Sequence, residues 1–120
     1  MKHGRQTFPK DERLRKRSEY TKLFARGKRC GSSHLLLFCQ ANQKEKARLG
    51  ITASRKVGTA VTRNRVKRLI REFYRQHKEL FASGYDFSLV VKRGFGRLTK
   101  KEAEAQLTSL LLRSRKYISS

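Results

Sequence analysis

The stretch that decides the fold is Arg63-Asn64-Arg65-Val66-Lys67-Arg68-Leu69-Ile70-Arg71-Glu72-Phe73-Tyr74-Arg75. Its apolar residues recur at the i, i+3, i+4, i+7 spacing of an amphipathic α-helix, which predicts one core-facing side. That side carries Val66, Leu69, Ile70 and Phe73. The nearly opposite side carries Asn64, Lys67, Arg68, Arg71 and Arg75. This second side is either a solvated basic face or a row of contacts to a polyanion, and the helix alone leaves both readings open.

The net charge of the whole chain favours the polyanion. Its 120 residues contain 31 Lys and Arg against 9 Asp and Glu, a formal net charge of +22 at pH 7. Such an excess repels itself in a compact domain, whereas nucleic acid neutralises many cations at once and releases counterions. An anionic membrane surface is the weaker alternative, because no apolar run approaches the ~18 residues of a spanning helix. We therefore expect a nucleic-acid partner and no membrane.

Two features predict a cytoplasmic protein. The N-terminus carries His3, Arg5 and Lys10 and lacks the apolar segment of a secretory signal. Cys30 and Cys39 stand alone, with no Cys-x-x-Cys and no histidine at metal-ligand spacing. We expect two buried or half-buried thiols rather than a zinc site or a disulfide.

The acidic residues do not form a recognisable catalytic or metal-binding set. A nuclease that holds its own metal ions needs clustered carboxylates, but here they are scattered, and only Asp11 and Glu12 are adjacent. His3, His34 and His77 are isolated too, and no phosphate-binding Gly-x-x-x-x-Gly-Lys-Ser/Thr motif is present. This composition favours a binding protein, such as a general RNA-binding protein, over an enzyme with its own site.

The segments before the Arg-rich helix supply the first elements. Residues 1–12 are polar and basic apart from Phe8 and Pro9, which predicts a basic N-terminal arm before one domain over residues 13–120. A first helix is expected to begin with Ser18 as N-cap and to end at Gly27 in a left-handed turn. Strands are predicted over residues 33–40 and 48–54, and pairing them as a hairpin is the simplest arrangement.

The second half completes the predicted fold. The Arg-rich helix is expected to start near Thr62 and to run to about Phe81, and a strand with period-2 alternation follows over residues 85–91. Thr99 and Glu102 form a capping box that opens the last helix. One apolar side of that helix carries Ala103, Leu107, Leu110 and Leu111. The order helix, two strands, helix, strand, helix predicts an α/β (α+β) two-layer sandwich.

Two aromatic residues of the first helix have two open interpretations. Tyr20 and Phe24 lie one turn apart and share a face. They are either core aromatics or a platform on which an unpaired base stacks.

Two adjoining stretches carry a resemblance to a known family. They are Arg48-Leu49-Gly50-Ile51-Thr52-Ala53-Ser54-Arg55-Lys56-Val57-Gly58 and, after Ala60-Val61, Arg63-Asn64-Arg65-Val66-Lys67-Arg68-Leu69-Ile70-Arg71-Glu72. Further matches are Arg13-Leu14, Tyr20, Phe24 with Gly27, and the strand containing Asp86. The chain resembles the bacterial ribonuclease P protein subunit over most of its length. The Arg-Asn-Arg core, followed by Lys-Arg and Arg-Glu, is a specific signature of that family rather than a generic basic run.

The resemblance implies a ribonucleoprotein that removes the 5′ leader from precursor tRNA by endonucleolytic cleavage. In that family an RNA subunit carries the chemistry, with Mg²⁺ bound mainly by the RNA. We therefore expect no catalytic residue and no metal site in the protein itself. The implied partners are the catalytic RNA and the single-stranded leader, and not DNA.

The same resemblance assigns two sets of site residues. The set expected to bind the RNA subunit is Arg63, Asn64, Lys67, Arg68 and Arg71. The set expected to line the leader cleft is Tyr20, Phe24, Phe38, Ser54, Arg55 and Lys56. Single-stranded RNA suits such a mixture of aromatic stacking and nearby cations. Arg65 lies well away from the Asn64 row in an ideal helix, which leaves its role open; intramolecular packing or salt-bridging is the alternative to a place on the same contact surface.

Three further expectations follow from comparison with the family pattern. Tyr20 stands where phenylalanine is usual, which keeps the stacking ring and adds a hydroxyl. Arg55 stands where lysine is frequent. The family also implies a left-handed crossover between parallel strands, against the right-handed rule that holds in about 98% of cases.

Overall fold

The computed structural model describes residues 8–118. Its α-helices are α1 (Arg17–Arg26), α2 (Ala60–Gln76) and α3 (Lys100–Ser114). Its strands are β1 (Lys28–Gly31), β2 (Leu35–Ala41), β3 (Arg48–Ala53) and β4 (Tyr85–Val91). Short 3-10 turns lie at Lys10–Glu12, Arg55–Val57, Lys78–Leu80, Phe95–Arg97 and Arg115–Tyr117. The predicted mixed α/β class is confirmed.

The strands form one sheet in the order β1-β2-β4-β3. β2 runs antiparallel to β1 and β4, whereas β3 lies parallel to β4 at the sheet edge. The predicted hairpin between β2 and β3 is therefore wrong, because β4 lies between them. The reason is burial: Phe87, Ser88 and Leu89 are fully buried, so β4 belongs at the centre of the sheet.

β1 is the element that the sequence did not predict. It is four residues long, three of them exposed, and therefore shows no apolar alternation. It pairs with β2 through a short connection, and Cys30 lies opposite Leu37. The real hairpin is thus β1–β2. Cys30 and Cys39 are both buried, as predicted.

α2 connects β3 to β4, which are parallel, so β3–α2–β4 is a crossover unit. The length of α2 suits this role, since parallel strands cannot be joined by a tight turn. The left-handed sense of the crossover stays a prediction from the family resemblance.

The sheet has two faces of different character, because successive side chains on a strand alternate. One face lies under α2 and α3 and forms the main core, with Leu35, Leu37, Leu49, Phe87 and Leu89 completely buried or nearly so. The other face lies partly under α1, where Phe38 packs with Leu14 and Leu23 in a smaller core. The sheet and the α2–α3 layer make up the sandwich, and α1 leaves part of the second face open.

The ends of the first two helices differ from prediction. α1 begins at Arg17 with Lys16 as N-cap, so Ser18 lies inside the helix. The backbone N–H groups of Arg15 and Lys16 donate instead to the Glu19 carboxylate, at 3.2 and 3.1 Å. Gly27 has φ −71°, not a left-handed value. Its small size is needed for another reason: a Cβ there would lie 2.6 Å from the Leu23 carbonyl oxygen.

α2 begins earlier and ends earlier than predicted. The Thr59 hydroxyl accepts from the Thr62 N–H at 3.2 Å, so Thr59 is the N-cap. The helix ends at Gln76, and the chain turns through Lys78–Leu80 so that Phe81 enters the core against Tyr74 and Phe87. The Thr99–Glu102 capping box of α3 is confirmed.

The first described residues are docked on α2. Phe8 packs on the Tyr74 ring at a centroid distance of 5.0 Å. The buried Glu12 carboxylate accepts from the Tyr74 hydroxyl at 2.7 Å and pairs with Lys78 at 3.0 Å. Residues 1–7 of the predicted arm lie outside the described residues, and the domain boundary at residue 13 stays a prediction.

Candidate nucleic-acid interface

α2 has the two unlike sides that the sequence predicted. Val66, Ile70 and Phe73 are buried, and Leu69 is half-buried. On the outer side Asn64, Arg68 and Arg71 are exposed, whereas Lys67 is half-buried. The helix is held by its apolar side against the sheet, so the basic side is free of any packing role.

Arg63 and Arg65 differ from that exposed row. Arg63 is half-buried, and its Nε atom is buried without a hydrogen-bond partner in the described part of the chain. Arg65 donates from Nη2 to the Gly96 carbonyl oxygen at 2.7 Å and so ties α2 to the loop before α3. The role of Arg65, which the sequence left open, thus includes an intramolecular hydrogen bond to a backbone carbonyl.

Arg48 fixes α1 over the sheet. Its guanidinium donates to both carboxylate oxygens of Asp86 on β4, each at 2.8 Å, and to Glu19 on α1, also at 2.8 Å. Burial raises the pKa of Glu19, but hydrogen bonds from Arg48 and from the N–H groups of Lys16 and Arg15 outweigh it and hold that pKa below its usual value. This ion cluster joins three segments that are distant in sequence, and it positions the aromatic residues of α1.

Those aromatic residues form a continuous cluster over the second face of the sheet. The Tyr20 and Phe24 ring centroids are 6.3 Å apart, and Phe24 meets Phe38 of β2 edge-on at 4.9 Å. Phe24 is 42% exposed, whereas Phe38 is 9% exposed. Of the three predicted cleft aromatics, Phe24 offers the most free ring surface.

Tyr20 has a structural role as well as a place in the cluster. Its ring lies directly over Gly50, where a Cβ would come within 2.6 Å of the ring carbons. Its hydroxyl donates to the Leu14 carbonyl oxygen at 3.2 Å, and burial raises the pKa of this phenol. Gly50 is thus required for α1 to approach β3.

The floor of the cleft contains residues that the sequence did not single out. Leu36, Thr52 and Val90 occupy one row across β2, β4 and β3, because Val90 pairs with both Leu36 and Thr52. All three are half-exposed beside the aromatic cluster. Only the strand order shows that Thr52 completes this row beside Leu36 and Val90.

Ser54, Arg55 and Lys56 lie at the far end of β3. The Ser54 hydroxyl accepts from the Lys56 N–H at 3.3 Å, which fixes the 3-10 turn that follows the strand. The described contacts bring Tyr20, Phe24 and Phe38 together, but they do not join these three residues to the aromatic cluster. Arg55 and Lys56 instead line a cavity beside the start of α2. Their assignment to the leader cleft stays a prediction.

Arg71 lies closer to the cleft than its assignment implied. It lines a cavity of about 330 Å³ together with Phe8, Tyr20, Gly50 and Ile51 at the outer edge of β3, where Arg13 bridges to Leu49. The basic side of α2 and the aromatic side of α1 therefore meet at this edge. One polynucleotide strand could therefore contact the basic side of α2 and the aromatic side of α1 at the same time.

The described chain supplies few groups for metal chemistry. Among residues 8–118, no three His, Cys, Asp or Glu side chains are grouped so as to hold a metal ion. Asp11, Glu12, Glu19 and Asp86 are engaged in ion pairs with basic residues. Over the same range, no helix has the length and apolar character needed to cross a bilayer.

Sequence comparison identifies the family of this chain. The family model described as Ribonuclease P matches residues 8–115. The ribonuclease P protein component of Desulfosudis oleivorans is 40% identical over 108 residues, which are 90% of this chain and 89% of that protein. That of Geotalea uraniireducens is 39% identical over 109 residues, 91% of this chain and 96% of that protein.

Solved structures agree with this result. The ribonuclease P protein of Thermotoga maritima superposes with a TM-score of 0.78 at 30% identity, over 85% of this chain and 96% of that one. A Staphylococcus aureus ribonuclease P protein mutant with defective mRNA degradation activity superposes with a TM-score of 0.84 at 25% identity, over 88% of this chain and 90% of that one. Sequence and fold agree, and the chain belongs to the ribonuclease P protein family.

Proposed function

We propose that this ribonuclease P protein component works through two surfaces that meet at the outer edge of β3. The basic side of α2 binds the RNA subunit through Arg63, Asn64, Lys67, Arg68 and Arg71. The cleft between α1 and the sheet holds the single-stranded 5′ leader of precursor tRNA. The observation that carries the proposal is the cavity that Tyr20 and Arg71 share, since it joins the two surfaces into one path.

The α2 surface suits a structured RNA. Asn64, Arg68 and Arg71 are exposed on one side of a helix whose other side is fixed in the core. Rigid cations in a row match successive phosphates and lose little conformational entropy on binding. The unpartnered Nε of Arg63 adds a donor that a phosphate oxygen would satisfy.

The cleft suits an unpaired strand. Bases stack on aromatic rings without regard to sequence, and Phe24 offers an exposed ring beside Tyr20 and Phe38. Leu36, Thr52 and Val90 give a half-apolar floor. Arg29 on β1 and Lys92 after β4 are exposed cations at its borders, suitable for the strand's phosphates.

In this proposal the protein binds and the RNA cleaves. Residues 8–118 offer no grouped ligands for a metal ion, so Mg²⁺ for phosphodiester hydrolysis is assigned to the RNA. The cytoplasm is the compartment where precursor tRNA is available in bacteria, and the two free thiols fit a reducing environment.

Reconstitution tests the whole proposal. The protein is mixed with a bacterial ribonuclease P RNA and precursor tRNA at limiting Mg²⁺, and the cleavage rate is compared with that of the RNA alone. We expect a faster reaction whose gain is larger for precursor with a long leader than for precursor with a one-nucleotide leader. No gain at any Mg²⁺ concentration would refute the proposal.

Arg68→Ala tests the α2 surface. If Arg68 contacts one phosphate, the slope of log affinity for the RNA subunit against log salt becomes shallower by about one unit. Lys116→Ala is the matched control, because Lys116 is an exposed cation beyond the C-terminal end of α3. Equal slopes in the two variants would remove Arg68 from the interface.

A further inference from the structure

A second basic cavity lies where the start of α2 meets the loop between β4 and α3. Its volume is about 570 Å³, and three chain segments line it. The cations around it are Arg55, Lys56, Arg65, Arg93 and Arg97, and none of its lining residues is acidic. Arg65, Arg93 and Arg97 belong to neither surface of the proposed function.

The loop that carries Arg93 and Arg97 is fixed in place. Phe95 is 1% exposed and anchors the loop in the main core. Gly96 packs so closely on α2 that a Cβ would lie 2.8 Å from Thr62 Cγ2, and its carbonyl accepts from Arg65. Gly94 has φ +95°, a left-handed conformation that glycine adopts without strain. The cavity is therefore preorganised rather than formed by mobile side chains alone.

No acidic side chain lines this cavity, so its positive charge is not balanced locally. Five like charges around one space repel each other, and an anion that entered would remove that repulsion. The side chains of Arg93 and Arg97 are exposed, and within residues 8–118 neither guanidinium makes a hydrogen bond or ion pair. Guanidinium groups bind phosphate oxygens in pairs of hydrogen bonds, which makes phosphate the best-matched anion. The volume exceeds that of one phosphate group, so consecutive phosphates fit.

We propose that this cavity is a phosphate-binding site that holds a bend of an RNA strand, with Arg93 and Arg97 as direct ligands and Arg65 as the residue that positions their loop. The identity of the RNA rests on the proposed function, whereas binding of the phosphate group itself does not. The strand is either the backbone of the RNA subunit or that of the leader. Both present the same chemistry to the cavity.

Inorganic tripolyphosphate tests the phosphate site without any RNA. We compare the melting midpoints of the wild type, Arg93→Gln/Arg97→Gln, and a control that loses the same charge elsewhere, Lys28→Gln/Lys116→Gln. Lys28 and Lys116 are exposed and lie outside the cavity. We expect tripolyphosphate to raise the midpoint of the wild type and the control equally, and that of the Arg93/Arg97 variant by less than half as much. Equal shifts in all three proteins would overturn the site.

RNA binding then tests the source of the phosphates. If the phosphates belong to the RNA subunit, the Arg93/Arg97 variant should bind that RNA at least tenfold more weakly. Its salt slope should then be about two units shallower than that of the control. If the phosphates belong to the leader, the affinity of the variant for the RNA subunit should be unchanged. Its affinity for precursor with a leader should fall tenfold, and its affinity for leaderless precursor should not change. A variant that matches the control in both assays would overturn the RNA assignment even if tripolyphosphate binds.

Discussion

The two ends of β3 are both rich in cations, but they are built differently. At the start of the strand Arg48 lies between Glu19 and Asp86, and its side chain is 13% exposed. Beyond the end of the strand, Arg55 and Lys56 face a cavity whose walls contain no acid. Cations at the first end complete the fold, whereas cations at the second end remain available to a ligand.

The position of the few carboxylates therefore separates structural cations from binding cations. The chain has 9 acids for 31 cations, so most cations cannot have an acidic partner. Four of those acids, Asp11, Glu12, Glu19 and Asp86, pair with Arg48, Lys46 and Lys78. Among these pairs, those of Arg48 are largely buried and that of Lys46 with Asp11 is exposed, whereas no acid lines the cavity that Arg55 and Lys56 face.

Arg48→Met should give the largest effect, because it removes the only cation between Glu19 and Asp86 among the described contacts and keeps an unbranched apolar stem in its place. Asp86, at 14% side-chain exposure, would be left with an uncompensated charge. Breaking a buried ion pair costs about 3 to 5 kcal/mol of stability. Because Glu19 is partly exposed, we expect the free energy of unfolding to fall by about 3 kcal/mol, the lower end of that range. Urea denaturation measures it.

Arg68→Met is the control for that experiment, since Arg68 is exposed on the outer side of α2. We expect its free energy of unfolding to stay within about 0.5 kcal/mol of the wild type. If the two variants lost equal stability, the distinction between structural cations and binding cations would fail.

The sequence predicted elements well where one periodic pattern decided them. The side of α2 with Val66, Ile70 and Phe73 was predicted correctly because burial imposes a helical period on apolar residues. The pairing of β2 was wrong, because alternation shows that a segment is a strand but not which strand lies beside it. β1 was missed because it buries only Cys30 and has no pattern to detect.

Site residues were likewise predictable where a single element carries them, and not where several segments come together. The exposed row on α2 was predictable from one helix, whereas the role of Arg65 was not, because its partner Gly96 lies 31 residues away in the chain. The Arg48 cluster was not predictable, since its partners lie 29 and 38 residues away in the chain. The phosphate cavity was missed for the same reason: its cations come from the turn after β3, from α2 and from the loop before α3.

Phe24→Ala extends the comparison from charges to apolar groups. Phe24 is 42% exposed, so its loss should change stability little but remove a stacking surface. We expect affinity for leader-bearing precursor to fall by about 1 to 3 kcal/mol, the contribution of one base stacked on an aromatic ring. Binding of reconstituted enzyme to precursors with and without a leader measures it.

Leu112→Ala is the matched control, because Leu112 is 48% exposed on α3, away from the cleft. Its affinity for both substrates should equal that of the wild type. An equal loss for leaderless tRNA in Phe24→Ala would make Phe24 a structural residue and remove the ring from the leader path.

Glu19→Gln tests the ion cluster at the start of β3 through the pH dependence of the free energy of unfolding. The pKa of Glu19 lies below its usual 4.5, so its ion pair contributes stability above pH 4.5 and loses it as pH falls through the folded-state pKa. We expect Glu19→Gln to cost about 1 kcal/mol at pH 7, near the upper end for a partly exposed pair. The cost should shrink towards pH 3, as urea denaturation at each pH would show. Glu104→Gln, on α3, should show no such trend, and a constant cost for Glu19→Gln across this range would contradict the ion-pair explanation.

Tyr20→Phe should give the smallest effect and separates the two roles of this residue. The change removes the hydroxyl that donates to the Leu14 carbonyl at 3.2 Å but keeps the ring over Gly50. Loss of one partly buried hydrogen bond predicts a decrease of about 0.5 to 1 kcal/mol in the free energy of unfolding. Leader affinity should not change, because the stacking surface is intact. Tyr85→Phe is the control, as it removes a similar hydroxyl bond to the Ile118 carbonyl at 3.2 Å on another part of the surface. A loss of leader affinity in Tyr20→Phe alone would show that the hydroxyl contacts RNA, and Tyr20 would then belong to the binding residues rather than to the scaffold.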